Sequence, residues 1–226
     1  MKSLISGVEV LPVSALDIGS DKTVCITGHR TNKIKLYDNN QALTFSVVKL
    51  LLYRYIDMAV EAGYENFING LAVGTDLWGA EYVTMKKHRN GNIRLISVMP
   101  FLRHAENMSE NDRFALENVE KKSDFLIVVN DNPDITYSRR ASPESSCKLY
   151  RDRNYFMIDH SSAVIAFADS DKKFSGTSQT IRYAYRNGRK ICGFDTETVH
   201  NIIEKSNSDI RSVGYEISLL ENVFCT

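Results

Sequence analysis

Apolar and polar positions along the chain alternate between two kinds of segment. Thr23-Val24-Cys25-Ile26-Thr27 is a short β-branched run ending at Gly28, which predicts a buried strand. From Asn40 to Ala62 the apolar residues Leu43, Val47, Leu50, Leu51, Ile56 and Val60 recur at helical spacing, with Gly63 as a C-terminal stop. Phe67-Ile68 reads as a second strand before Gly70, and a helix follows from Thr75 to about His88. Asn90-Gly91 turns the chain into a third strand, Ile93–Val98, which Pro100 is expected to stop.

The rhythm continues. Asp112–Lys122 predicts a helix and Phe125–Val129 a wholly apolar strand. Asn130 to Cys147 has the composition of a long loop, which in a compact domain tends to carry function. Tyr150–Ser161 reads as a helix, Ala163–Ala168 as a fifth strand, Thr177–Asn187 as a helix closed by Gly188, and Lys190–Phe194 as a sixth strand. Strands apolar on both faces and separated by helices mark a sheet covered on both sides. The expected fold is therefore α/β, a Rossmann-like, doubly wound, mainly parallel sheet. It spans residues 22–195, preceded by an unpatterned arm, 1–21, and followed by an extension, 196–226. That extension holds one helix around Val199–Lys205 and a weak terminal strand in Tyr215–Leu220.

In such a sheet, ligands bind where strands end and helices begin, at free N–H groups and the positive end of the helix dipole. Three strand ends carry Gly beside Thr: Thr27-Gly28-His29-Arg30, Gly70 through Gly74-Thr75-Asp76, and Gly176-Thr177-Ser178-Gln179. Glycine lets backbone approach a ligand, while Thr hydroxyls and successive N–H groups cradle phosphate oxygens. The three loops together point to an anionic, nucleotide-like ligand. No G-x-x-x-x-G-K-[ST] motif, no G-x-G-x-x-G after the first strand and no H-E-x-x-H is present, which argues against P-loop hydrolysis, NAD-type redox chemistry and a zinc protease. No metal and no cofactor are implied.

Composition narrows the ligand. The 226 residues carry 28 Lys+Arg and 28 Asp+Glu, a net charge of zero, which disfavours wrapping a long polyanion and makes nucleic acid an unfavoured partner. Locally, Arg139, Arg140, Lys148, Arg151 and Arg153 face only Glu144 and Asp152, a positive field suited to a small anion. A hydrophobic fraction of 43% with no run long enough to span a bilayer, and no signal-peptide pattern, indicates a soluble, cytoplasmic protein without a membrane partner. Cys25, Cys147, Cys192 and Cys225 have no patterned spacing and are expected to be buried, reduced thiols.

Val24-Cys25-Ile26-Thr27-Gly28-His29-Arg30, Gly70 through Glu81 and Met99-Pro100-Phe101 resemble the YpsA-like proteins of the SLOG superfamily. That superfamily also includes the LOG-type phosphoribohydrolases and the DNA-processing protein DprA. The resemblance implies a Rossmann-like fold, a nucleotide-derived ligand and a homodimer. LOG enzymes use an Arg in R-K-x-x-M and a Glu in P-G-G-x-G-T-x-x-E. Here Arg153-Asn154-Tyr155-Phe156-Met157 resembles the first segment, whereas Thr180 occupies the Glu position of the second. The acid that would assist a leaving base is absent there. Arg153, Asp76 and Glu81 remain candidates for chemistry. Asp76 and Glu81 stand about 140° apart on their helix, so both cannot point at one ligand. Asp76 also suits a helix-capping or loop-bracing role, His29-Arg30 a solvated pair or a phosphate contact, and the lone Trp78 packing. Three functions compete: a sensor or sequestering module for a nucleotide or ADP-ribose-like ligand, an N-glycosidase of altered mechanism, and DprA-like binding of single-stranded DNA.

Overall fold

A computed structural model describes residues 1–138, 145–169 and 175–225. The strands are β1 (Leu11–Pro12), β2 (Thr23–Gly28), β3 (Asn66–Asn69), β4 (Arg94–Phe101), β5 (Phe125–Asn130), β6 (Ala163–Phe167) and β7 (Lys190–Phe194). The α-helices are α1 (Gln41–Glu61), α2 (Thr75–Lys87), α3 (Glu110–Lys122), α4 (Ser146–Asp159), α5 (Gly176–Arg186), α6 (Thr196–Lys205) and α7 (Ile210–Ser218). The strands form one seven-stranded sheet in the order β1-β5-β4-β3-β2-β6-β7, and every pairing is parallel.

Each central strand is buried on both faces, and its period of two divides the core in half. Val24, Ile26, Phe67 and Leu95 pack beneath α1, α2, α3, α6 and α7, while Cys25, Ile68 and Ile96 pack against Met157 and Ile158 of α4 and Ala184 of α5. This is the doubly wound α/β arrangement. The chain leaves β2 toward β3 on one side and reaches β6 on the other, which places the topological switch point between β2 and β6.

Five local expectations are corrected. Pro100 does not end its strand, because β4 continues to Phe101. It pairs with β3 only through Ser97, so at Pro100 the missing N–H faces a side with no neighbour, while Met99 and Phe101 still pair with β5. Tyr215–Leu220 is not a strand but lies largely in α7, where Val213 and Ile217 are buried four residues apart and Asp209 caps the helix by accepting the Ser212 N–H. The arm carries a strand after all: Leu11 and Pro12 pair with Ile127 and Val128 at the sheet edge, too short a stretch to show a period. Of the cysteines, Cys25 and Cys192 are buried, but Cys147 and Cys225 are exposed. The helix read from Tyr150 begins a turn earlier, at Ser146, with Ser145 as its cap. Within the cationic stretch, Arg139, Arg140 and Glu144 lie outside the described residues.

Candidate functional site

The carboxyl ends of β3, β2 and β6 lie side by side, and the Gly/Thr residues that follow them lock three loops together. Thr75 donates its hydroxyl to the His29 carbonyl at 3.0 Å, and Thr177 donates to the Gly28 carbonyl at 3.1 Å. Gly28 is tight against Thr75: a Cβ there would meet Thr75 Oγ1 at 2.6 Å. Gly74 has a φ of +100° and presses on the first loop, where a Cβ would meet the His29 carbonyl oxygen at 2.7 Å. Gly74 and Thr75 therefore act on the loops themselves; neither lines the two cavities described below.

Behind the second loop lies a buried charged pair. Asp76 accepts the Gly70 N–H at 3.1 Å and also takes the Ala72 N–H, so the carboxylate braces the loop. Arg153, 5% exposed, reaches from α4 and donates its Nη1 to the Gly70 carbonyl. Gly70 is where both meet: a Cβ would collide with the Arg153 guanidinium and lie 2.8 Å from Asp76 Oδ2. Burial pushes the Asp76 carboxyl up, opposed by Arg153 and by the two backbone N–H groups. Burial likewise pulls the Arg153 guanidinium down, opposed by Asp76. Arg153 Nε is buried and has no hydrogen-bond partner among the described residues. The loop also holds Leu71 at a φ of +57°, a strained conformation for a leucine, with its N–H donating to Asn69 Oδ1.

Arg153 borders a cavity of about 730 Å³ at the switch point, together with Thr27, Gly28, His29, Arg30, Asp76, Asn154, Gly176 and Thr177. These predicted site residues are brought together. Within the group, His29 is committed to structure. Its ring is buried edge-on against Phe167, and its Nε2 accepts the Asp169 N–H at 3.0 Å, tying the first loop to the end of β6. Asn154 donates to Thr180 Oγ1 at 2.9 Å, and the Thr180 hydroxyl in turn donates to the Gly176 carbonyl. The residue at the LOG-type Glu position is thus a buried, hydrogen-bonded threonine.

Other predicted residues fall elsewhere. Ser178 caps with Ser175 at the start of α5, and neither Ser178 nor Gln179 lines the cavity. Glu81 stands away from it, on the α2 face near Lys49 and Lys122, where burial pushes its carboxyl up. Trp78 packs on Phe45 at 5.2 Å between ring centres, beneath Lys49. Among the described residues no cluster of His, Cys, Asp or Glu is arranged to hold a metal ion, and no helix is long and apolar enough to cross a membrane.

Sequence reasoning missed a second cavity of about 570 Å³, which includes Gly70, His104, Met108 and Tyr137 in its lining and shares Arg30, Asn32, Ala72 and Tyr150 with the first. Tyr150 sits one helical turn before Arg153, with the guanidinium carbons of Arg30 and Arg153 each 5.6 Å from its ring centre. His104 is 8% exposed and its Nε2 has no partner among the described residues. Burial, with Arg153 and Arg30, lowers its pKa to about 3, so the imidazole is neutral. Its only sequence signal was its position three residues after Met99-Pro100-Phe101.

Two guanidiniums, those of Arg30 and Arg153, thus border one polar cleft at the ends of β2 and β6. A UPF0398 protein of Bacillus cereus (strain G9842) is 27% identical over 151 residues, covering 67% of this chain and 76% of the relative. A UPF0398 protein of Bacillus thuringiensis (strain Al Hakam) is 26% identical over the same length and shares. The crystal structure of DNA processing protein A (DprA) from Streptococcus pneumoniae superposes with a TM-score of 0.46 at 16% identity. The likeness takes in 88% of this chain and 62% of DprA, so this chain spans less than two thirds of that protein. A sequence model of the YspA SLOG family matches residues 24–200, from the first central strand into α6, and the chain belongs to that family.

Proposed function

We propose that the protein binds a small nucleotide-derived anion, a nucleoside phosphate, in the cleft at the β2/β6 switch point, and holds it as a sensor or sequestering module without cleaving it. The observation that carries this reading is Arg153, a buried guanidinium with an unpartnered Nε bordering a cavity rimmed by Gly28, Gly176 and Thr177. A buried polar group without a partner is costly, and a phosphate oxygen would relieve that cost. Binding is favoured over release of a base because Thr180 replaces the LOG-type acid and the Asp76 carboxylate is taken up by the Gly70 and Ala72 N–H groups. Single-stranded DNA is the poorer fit to a neutral chain.

Calorimetry with nucleoside monophosphates, cyclic nucleotides and NAD, with chromatography of the same mixtures, tests the reading. At least one nucleotide is expected to bind and be recovered intact, and Arg153→Ala is expected to weaken it by tenfold or more, about 1.4 kcal/mol. Absence of binding across the panel, or appearance of a free base, overturns the proposal.

A further inference from the structure

The two cavities are lobes of one cleft, because Arg30, Asn32, Ala72 and Tyr150 line both. Each volume, about 730 and 570 Å³, lies within the range of small-molecule pockets, so each lobe is large enough for its own part of a ligand. Their chemistries differ. The larger lobe gathers Arg153, Lys33 and the Gly28 and Thr177 loops. The smaller is lined by Leu71, Val73 and Met108, the half-exposed Tyr137, the acidic Asp112, and His104, whose buried Nε2 has no partner among the described residues. Asp112 disfavours a second anion there. The neutral imidazole of His104 offers a hydrogen bond without adding charge.

We propose that the cleft is bipartite and reads a nucleoside phosphate end to end: the phosphate lies in the Arg153 lobe, and the base lies in the second lobe, hydrogen-bonded to His104 Nε2 beside Tyr137. Arg30 and Tyr150 form the waist between them. Tyr150 is fixed there by Phe101 edge-on at 5.7 Å and by a hydrogen bond from Arg30, so the waist holds the two ends at a set distance. This assignment rests on the reading of the site given above. It adds that affinity depends on the base, with His104 as the residue that recognises it.

The test compares ribose 5-phosphate with AMP, GMP, CMP and UMP by calorimetry on the full chain. At least one nucleoside monophosphate is expected to bind tenfold or more tighter than ribose 5-phosphate. His104→Leu should erase that margin while leaving ribose 5-phosphate within twofold, and His104→Gln, which restores a hydrogen-bonding group, should recover most of it. Met108→Trp, which fills the second lobe from a half-buried position, should act like His104→Leu and guards against a folding defect at position 104. Equal binding of nucleotide and ribose 5-phosphate, or a margin that survives both variants, overturns the bipartite assignment while leaving phosphate binding intact. Loss of ribose 5-phosphate together with nucleotide in both variants also overturns it. If the wild type binds neither compound, the phosphate site itself is refuted, and the assignment falls with it.

Discussion

Asp76 and Glu120 are both buried carboxylates, at 4% and 0% exposure, and burial pushes both upward in pKa. They occupy opposite kinds of place. Glu120, on α3, accepts the Ser3 hydroxyl at 2.5 Å and fastens the N-terminal arm to the domain, and it lines neither of the two cavities described above. Asp76 braces the loop after β3, and it and its electrostatic partner, Arg153, both line a cavity. A buried charge alone therefore does not mark a functional site. What distinguishes the two regions is the cavity that Asp76 and Arg153 line, since Glu120 Oε1 is also left without a partner among the described residues.

The contrast can be broken most sharply at Asp76. Asp76→Ala removes two charge-assisted bonds from the loop and leaves Arg153 buried without its counter-charge, and should cost roughly 3 kcal/mol in urea unfolding. A cost below about 1 kcal/mol would mean that Arg153 is solvated through the cleft. Gly70→Ala comes next. Its methyl group would displace both Arg153 and Asp76, so a loss of about 1–3 kcal/mol is expected together with loss of nucleotide binding. Retained affinity in that variant would separate the loop from the ligand.

Glu120→Gln should have a smaller effect, and one that depends on pH. A carboxyl whose folded pKa is raised above its unfolded value contributes stability that is fully present below the unfolded pKa and lost as pH rises through the folded pKa. The variant lacks this loss. Relative to wild type it should gain stability as pH rises from the ordinary carboxylate range to neutrality, by about 1 kcal/mol or less, with nucleotide affinity unchanged. Unfolding curves that diverge in the opposite direction would show that the Ser3 contact favours the ionised form. Glu81→Ala is the smallest perturbation: stability should stay within about 0.5 kcal/mol, and calorimetry should detect no change in binding.

Much of the frame was legible because it is written in local periods. The runs Thr23–Thr27 and Ala163–Ala168 are apolar on both faces, and the structure buries them in the middle of the sheet. The Gly/Thr loops were legible as a group because strand ends in such a sheet share one edge, though the hydroxyls of Thr75 and Thr177 turn out to be bonded to carbonyls of the first loop. The arm strand and α7 were illegible for opposite reasons. Two residues are too few to show a period, and Tyr215-Glu216-Ile217-Ser218-Leu219 alternates like a strand although burial of Val213 and Ile217 makes it a helix. Glu81 was drawn into the site by proximity in sequence to Asp76, but the helix turns it toward Lys49 and Lys122.

The chain's own order of residues, then, was enough for the α/β frame and the switch-point loops, because these follow from spacing of two or 3.6 and from the chemistry of Gly and Thr, whereas Arg153 was singled out by its resemblance to the LOG-type R-K-x-x-M segment and its place in a cationic stretch. It was not enough for the shape of the cleft. Gly70 and Arg153 meet across 83 residues and His29 and Asp169 across 140, and His104 acquires its neutrality from burial and from two arginines elsewhere in the chain. Which polar atoms are satisfied and which are left facing a cavity depends on how distant segments pack, and no local pattern encodes that.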